Sequence, residues 1–243
     1  TKAKLSHIYN IEIVEKKAFN LPYFFYVFYQ LFFLKKDLQR HNCDLVFVPG
    51  SIFLIDFPSI LMPQNMLPFE NEEIKRFPLN GRFKFFLIGL AQKYSLIKAK
   101  GVIYLSEYAF EKIKKHALFS KYTIIPHGIT KSKVSPKENI EFNIKNPMKL
   151  LYVSPLYPYK HHEILVKAIH ELVNEGLNIN YKIVGGGSES NIKSLKSLIT
   201  NSNIEFVGEV LPNDISKYLS ESNVFIFAST CENLPITLLE AMS

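Results

Sequence analysis

The feature that most constrains this chain is the regular alternation of short apolar runs and amphipathic helices in its second half. Residues 149–153 (KLLYV) are an apolar run ending in the turn formers Ser154 and Pro155. Ile164, Leu165, Ala168, Ile169, Leu172 and Val173 then recur with helical period, and Gly176 supplies a stop. Residues 179–184 alternate as a strand and end in Gly185-Gly186-Gly187. A helix about 192–199, a strand 204–207, a helix opened by Pro212 and Asp214, a strand 224–228 and a helix opened by Pro235 follow. Parallel strands need crossovers of a dozen or more residues, usually helical. The pattern therefore predicts an α/β fold, a parallel sheet with helices on both faces and right-handed connections.

The first half reads as the same class. Strands are expected at 44–48, 59–62, 101–105 and 122–125, and helices at about 22–40, 70–77, 82–99 and 107–117. The stretch 131–147 is polar, carries Pro136 and Pro147 and lacks periodicity, so it reads as a linker. The expected organisation is a first lobe over 1–130 and a second over 148–243.

An apolar fraction of 47% with 21% charged residues excludes intrinsic disorder. With 29 Lys+Arg against 22 Asp+Glu the net charge is +7, suited to an anionic membrane or a phosphorylated substrate. No stacking or groove-reading module is legible, so nucleic acid is not an expected partner. Cys43 and Cys231 lie far apart without metal spacing, which points to a reducing cytoplasm rather than a disulfide framework. The most apolar run, 21–34, is 14 residues long against the ~20 a spanning helix needs, so it predicts a buried or interfacial helix.

The stretch 224–242, VFIFASTCENLPITLLEAM, is where chemistry concentrates. A buried strand enters a loop with Glu232, and a helix then opens at Pro235 and carries Glu240. In open α/β sheets ligands bind at the carboxyl ends of strands, where this loop must lie. A helix N-terminus offers unpaired N–H groups to a diphosphate. At ~1.5 Å per residue Glu240 lies ~7–8 Å beyond Pro235, so the two carboxylates can touch different parts of one extended ligand.

CENLPITLLEAM after FIFAS resembles the Glu–seven residues–Glu motif of retaining GT-B glycosyltransferases, specifically glycosyltransferase family four. Other segments resemble that family in the same order: PQNMLPFE (63–70), IIPHGI (124–129), LYVSPLYPYKHHEILVKAI (151–169), YKIVGGGSE (181–189) and IEFVGEV (204–210). The resemblance implies two Rossmann-like lobes of GT-B type, both incomplete, in a piece of a longer enzyme.

It also implies roles. Lys160 would pair with the donor diphosphate and Glu232 would contact the transferred sugar, these two being the catalytic candidates. The backbone N–H groups of Asn233 and Leu234 would face the phosphates, and Glu240 would accept from the ribose hydroxyls. Gly185 and Gly186 would let the donor approach the backbone, although a strand-to-helix turn explains the glycines nearly as well. Gln64, Asn65 and His127 are the acceptor-side candidates. The co-substrate would be a nucleoside-diphosphate sugar, with no cofactor and no metal, and the acceptor a saccharide or lipid-linked glycan. Members commonly carry Arg five residues before the lysine, where Pro155 stands here. A non-catalytic partner subunit and a GT-B epimerase or phosphorylase remain open beside the transferase.

His161 and His162 are adjacent, so on a helix they do not face one site and do not read as a metal pair. Residues 74–106 hold Lys75, Arg76, Arg82, Lys84, Lys93, Lys98 and Lys100 without an acid, interleaved with Phe83, Phe85, Phe86, Leu87, Ile88 and Leu90. This reads as a core helix with a solvated basic face, or as a surface that docks on anionic lipid.

Overall fold

The computed structural model describes residues 23–116, 121–129 and 145–243. They form two lobes, each built on a four-stranded parallel sheet. In the first, β1 (Val46–Val48), β2 (Ser59–Leu61), β3 (Gly101–Tyr104) and β4 (Tyr122–Ile124) lie side by side in chain order. In the second, β5 (Met148–Val153) and β6 (Ile179–Val184) are central, with β7 (Ile204–Gly208) on one edge and β8 (Val224–Phe225) on the other. The expected linker falls largely on 130–144, outside the described residues.

The second lobe is the better covered. Leu150, Tyr152, Tyr181 and Ile183 face α6 (His162–Asn174) and α7 (Glu189–Leu198), packing on Val166, Ile169 and Leu195. The alternate residues Leu151, Val153 and Val184 face α8 (Ile215–Glu221) through Ile215, Tyr218 and Leu219. Period-two alternation in β5 and β6 thus places helices on both faces, as expected. β8 is shorter than predicted. It pairs over two residues, the Ile226 N–H still reaches the Leu151 carbonyl at 2.8 Å, and the chain then leaves the sheet. Pro235 caps α9 (Ile236–Ala241) rather than opening it, because its ψ of 117° is extended.

The first lobe buries Leu61, Val102 and Tyr104 of the sheet against Leu96, Ala109 and Ile113. Its helices are α1 (Tyr23–Tyr29), which runs through a π-turn (Gln30–Leu34) into α2 (Lys35–Arg40), then α3 (Asn71–Ile74), α4 (Leu79–Lys98) and α5 (Glu107–Ile113). The helix expected at 70–77 is split from the next at Phe77-Pro78, since the residue before proline is driven out of the helical region.

The core-helix reading of 82–99 is corrected. The buried residues of α4 are Gly89, Gln92, Ser95 and Leu96. Gln92 Nε2 donates to Ser51 Oγ, and Ser95 Oγ accepts the Phe53 N–H at 2.9 Å while donating to the Ala91 carbonyl. Phe83, Phe86, Leu87 and Leu90 point outward and are each about half exposed or more. α4 therefore anchors by hydrogen bonds as well as packing, and it leaves its apolar side uncovered.

Candidate active site

The order β7-β6-β5-β8 sends successive crossovers to opposite sides of β5, so the strand order reverses between β5 and β8. A crevice opens at the carboxyl ends of strands at such a point. Two loops meet there, 154–161 after β5 and 226–235 after β8.

The first loop is shaped by its prolines. Pro158 starts a 3-10 turn ending at Lys160, and His161 takes φ +56° to redirect the chain into α6. The buried Tyr152 hydroxyl donates to the Lys160 carbonyl at 3.1 Å. The second loop is tied to the first: Thr230 N–H donates to the Tyr159 carbonyl at 3.0 Å, and Thr230 Oγ1 lies 2.9 Å from His161 Nε2. These contacts bring Lys160 Nζ and the Glu232 carboxylate into a direct ion pair, with the side chains only 10% and 23% exposed. Lys160 Nζ also lies 5.2 Å from the Tyr159 ring centroid, a cation–π contact.

Behind the lysine, His162 stacks on Tyr152 at 4.7 Å, with Nε2 3.2 Å from the Pro155 carbonyl. Burial lowers its pKa from 6.5 to about 4, against the hydrogen bond to Pro155, so the ring is neutral near neutral pH. Burial likewise pushes the Tyr152 hydroxyl and the Cys231 thiol up to about 12. Neither supplies a base, and Cys231 belongs to the core of the first lobe, where its loop is inserted.

The cleft itself holds about 280 Å³. Gln64, Leu105 and His127 line it from the first lobe, and Ser154, Pro155, Lys160 and Glu232 through Thr237 from the second. Lys160 is the one lysine or arginine among these lining residues. Asn233 closes the floor. Its Nδ2 donates to the Pro63 carbonyl at 2.8 Å, and Ser106 Oγ donates to its Oδ1 at 3.0 Å or its carbonyl at 3.2 Å.

Of the residues singled out from sequence, Lys160, Glu232, Asn233, Leu234, Gln64 and His127 converge on this cleft. Four do not line it. Asn65 accepts the Leu67 N–H at 3.1 Å within its own turn. Glu240 sits partly buried on α9, one turn beyond the lining residues Ile236 and Thr237, and is not itself among them. Gly185 and Gly186 end β6, and their close neighbours belong to the chain itself. A Cβ on Gly185 would lie 2.0 Å from the Ser154 carbonyl oxygen, and one on Gly186 2.9 Å from Glu209 Oε2. Packing of the 154–156 loop alone thus accounts for Gly185.

Sequence reasoning passed over Ser106 and Thr230, which hold the two loops. Ser106 is legible as a helix cap before Glu107, and its hydroxyl does accept the Ala109 N–H at 3.2 Å. Its bond to Asn233 spans 127 positions and has no local signal.

Residues 135–243 match the model of the family described as Glycosyl transferases group 1. An uncharacterized glycosyltransferase of Haemophilus influenzae is 31% identical over 138 residues, 55% of this chain and 35% of its own length. The chain spans about a third or less of the curated relatives it matches. A sucrose-phosphate synthase structure from Thermosynechococcus elongatus aligns over 96% of this chain and 60% of its own, with TM-score 0.67 and 18% identity. The pneumococcal O-GlcNAc transferase GtfA, in complex with UDP and GlcNAc, aligns over 86% of this chain and 42% of its own, with TM-score 0.58 and 18% identity. The fold is that of the GT-B glycosyltransferases, and from residue 135 onward the sequence matches the glycosyl transferases group 1 family.

Proposed function

We propose that this chain is part of a retaining, metal-independent glycosyltransferase of family four that moves a hexosyl group from a nucleoside-diphosphate sugar to a saccharide or lipid-linked glycan. One observation carries the reading: Lys160, Glu232 and the first turn of α9 converge on a cleft that first-lobe residues close from the other side.

The chemistry follows from that arrangement. The bond between the sugar C1 and the β-phosphate oxygen breaks, and its electron pair goes to the phosphate. An acceptor hydroxyl oxygen bonds C1 from the same face, and its proton goes to the departing phosphate oxygen. Charge grows on the diphosphate, so Lys160 binds the transition state more tightly than the ground state. The uncapped N–H groups at the start of α9 add to this, modestly, because the helix spans six residues. Donor binding would break the Lys160–Glu232 pair. The ammonium then turns to phosphate, and the carboxylate, with two acceptor oxygens, turns to the sugar hydroxyls. Glu240 would hold the ribose from α9, with Gly185 and Gly186 at the edge of the donor site. Gln64, Asn65 and His127 would meet the acceptor.

A cytoplasmic enzyme of polysaccharide assembly working on a lipid-linked acceptor would sit at the inner face of the membrane. Relatives with UDP in their structures, such as pneumococcal GtfA, support a uridine nucleotide as the first donor to try.

The test is turnover of UDP-sugars and GDP-sugars by the full-length protein with saccharide acceptors, followed by nuclear magnetic resonance of the product's anomeric proton. The expected product keeps the donor's anomeric configuration, with chelator present throughout. An inverted product, or turnover abolished by chelator, overturns the reading. Pro155 favours one second reading, a non-catalytic partner subunit, since it leaves the cleft with a single lysine. Weak or absent binding of UDP and GDP in calorimetric titration of the full-length protein would select it, and micromolar binding would count against it.

A further inference from the structure

The helix α4 is built inside out. Its inward face is held partly by Gln92 and Ser95, as described above, whereas Leu79 is 79% exposed, Phe83 64%, Phe86 60% and Ile97 59%. With Leu87, Leu90 and Tyr94 these residues recur at helical spacing. At about 100° per residue they fill one stripe about 100° wide along the whole helix.

Cations border the stripe on both sides. On the same wheel Arg82 and Lys93 fall just beyond one edge, and Lys98 and Lys84 beyond the other. No acid occurs between residues 74 and 106 to offset them. Lys75 and Arg76, before the helix, are already paired with Glu72 and Glu73. Among the described residues Lys84, Lys93 and Lys98 enter no ion pair. A second apolar surface is present: α1 and its π-turn expose Phe28, Leu31, Phe32 and Phe33, and Gln30 reaches the same 51–54 loop that anchors α4.

We infer that the α4 stripe lies flat in the interfacial layer of an anionic phospholipid bilayer, with its apolar side chains among the acyl chains and its flanking lysines on the headgroups. A continuous apolar stripe framed on each side by one sign of charge fits a layered partner, apolar below and anionic above. A second copy of the chain would bring the same cations face to face. The helix is not a spanning segment: none of the described helices is long and apolar enough to cross a membrane. The inference deepens the proposed function by naming the surface that would bring the cleft to a lipid-linked acceptor, and it rests on that reading only for its purpose.

The experiment is co-sedimentation of the full-length protein with vesicles of phosphatidylcholine alone and of phosphatidylcholine mixed with phosphatidylglycerol. The unaltered protein is expected to bind the anionic vesicles and to be released by salt. Lys84→Gln, Lys93→Gln and Lys98→Gln should each cost about fivefold in affinity. The exposed triple change Phe83→Ser, Phe86→Ser, Leu90→Ser should cost about a hundredfold or more. Thermal melting and UDP binding of the same variants, expected unchanged, show that the fold is intact. No binding to anionic vesicles overturns the inference, as does binding that neither set of changes weakens. A fall in oligomeric mass caused by the triple change also overturns it, assigning the stripe to a second copy. Vesicle binding by a protein that binds no nucleotide would leave the surface standing and remove the active-site reading alone.

Discussion

Ser106, at the end of β3, and Asn233, in the loop between β8 and α9, are joined by a hydrogen bond across the two lobes, 127 positions apart. With the Asn233–Pro63 bond it fixes the Glu232 loop against the carboxyl ends of β2 and β3. Replacing Asn233 by Ala leaves the Pro63 carbonyl to find water and leaves the Ser106 hydroxyl only the backbone carbonyl of residue 233. Each such hydrogen bond is worth about 1 kcal/mol net. Amide exchange in residues 229–234 should speed up about tenfold. Ser106→Ala alone also uncaps α5, so the cross-lobe part is read from the double-mutant cycle, with an expected coupling of about 1 kcal/mol. A coupling of zero would remove the clasp.

Lys160 and Glu232 are the pair that the donor must separate. Truncating Lys160 to Ala strands a carboxylate that is largely shielded, and the loss of one partner costs more than the loss of both. Lys160→Ala is expected to destabilise by about 1–3 kcal/mol, with the double change Lys160→Ala, Glu232→Ala recovering part of it. Nucleotide-diphosphate affinity, measured calorimetrically on the full-length protein, should fall at least about tenfold in Lys160→Ala. It should stay close to normal in Glu232→Gln, whose expected loss is in turnover.

His162 sets a pH dependence of stability. Its folded pKa of about 4 lies below the ordinary 6.5, so between those values the unfolded chain binds a proton that the folded chain excludes. The stabilisation is full above about 6.5, falls as pH drops toward 4, and does not change further below that. The linkage amounts to up to about 3 kcal/mol. His162→Gln should flatten this part of the pH profile in thermal melting, and an unchanged slope would refute the assignment.

Two glycines with positive φ should respond differently to a methyl group. Gly185 (φ +148°) faces the Ser154 carbonyl oxygen 2.0 Å from a built Cβ, whereas Gly208 (φ +90°) meets nothing within 4 Å. Gly208→Ala carries only the backbone penalty, about 1 kcal/mol. Gly185→Ala also requires the 154–156 loop to move, and should cost several kcal/mol in chemical denaturation, of the order of the larger single-site effects. Equal costs would mean that the loop yields freely.

The regular elements were largely legible because their causes are local. Alternation in β5 and β6, the apolar period of α6, Ser106 as a cap, and the glycines after β6 act within a few residues of themselves. The fit is weaker where a neighbour decides. β8 looks like a five-residue strand, yet pairs with β5 over two residues before the chain leaves the sheet. The aromatic α4 looks like a core helix, yet Gln92 and Ser95 face inward. Gln92 Nε2 and Ser95 Oγ find partners on the 51–53 loop, and no periodicity announces those partners.

The amino-acid order by itself determined that this chain builds parallel α/β sheets and that Lys160 and Glu232 stand at strand ends, because strand and helix periods and turn chemistry are short-range. Only the tertiary structure decided that the lysine grips the glutamate and that Asn233 is held by the other lobe. Those outcomes depend on which loops the sheet order brings together across about seventy residues or more, and distance of that kind leaves no periodic trace in a sequence.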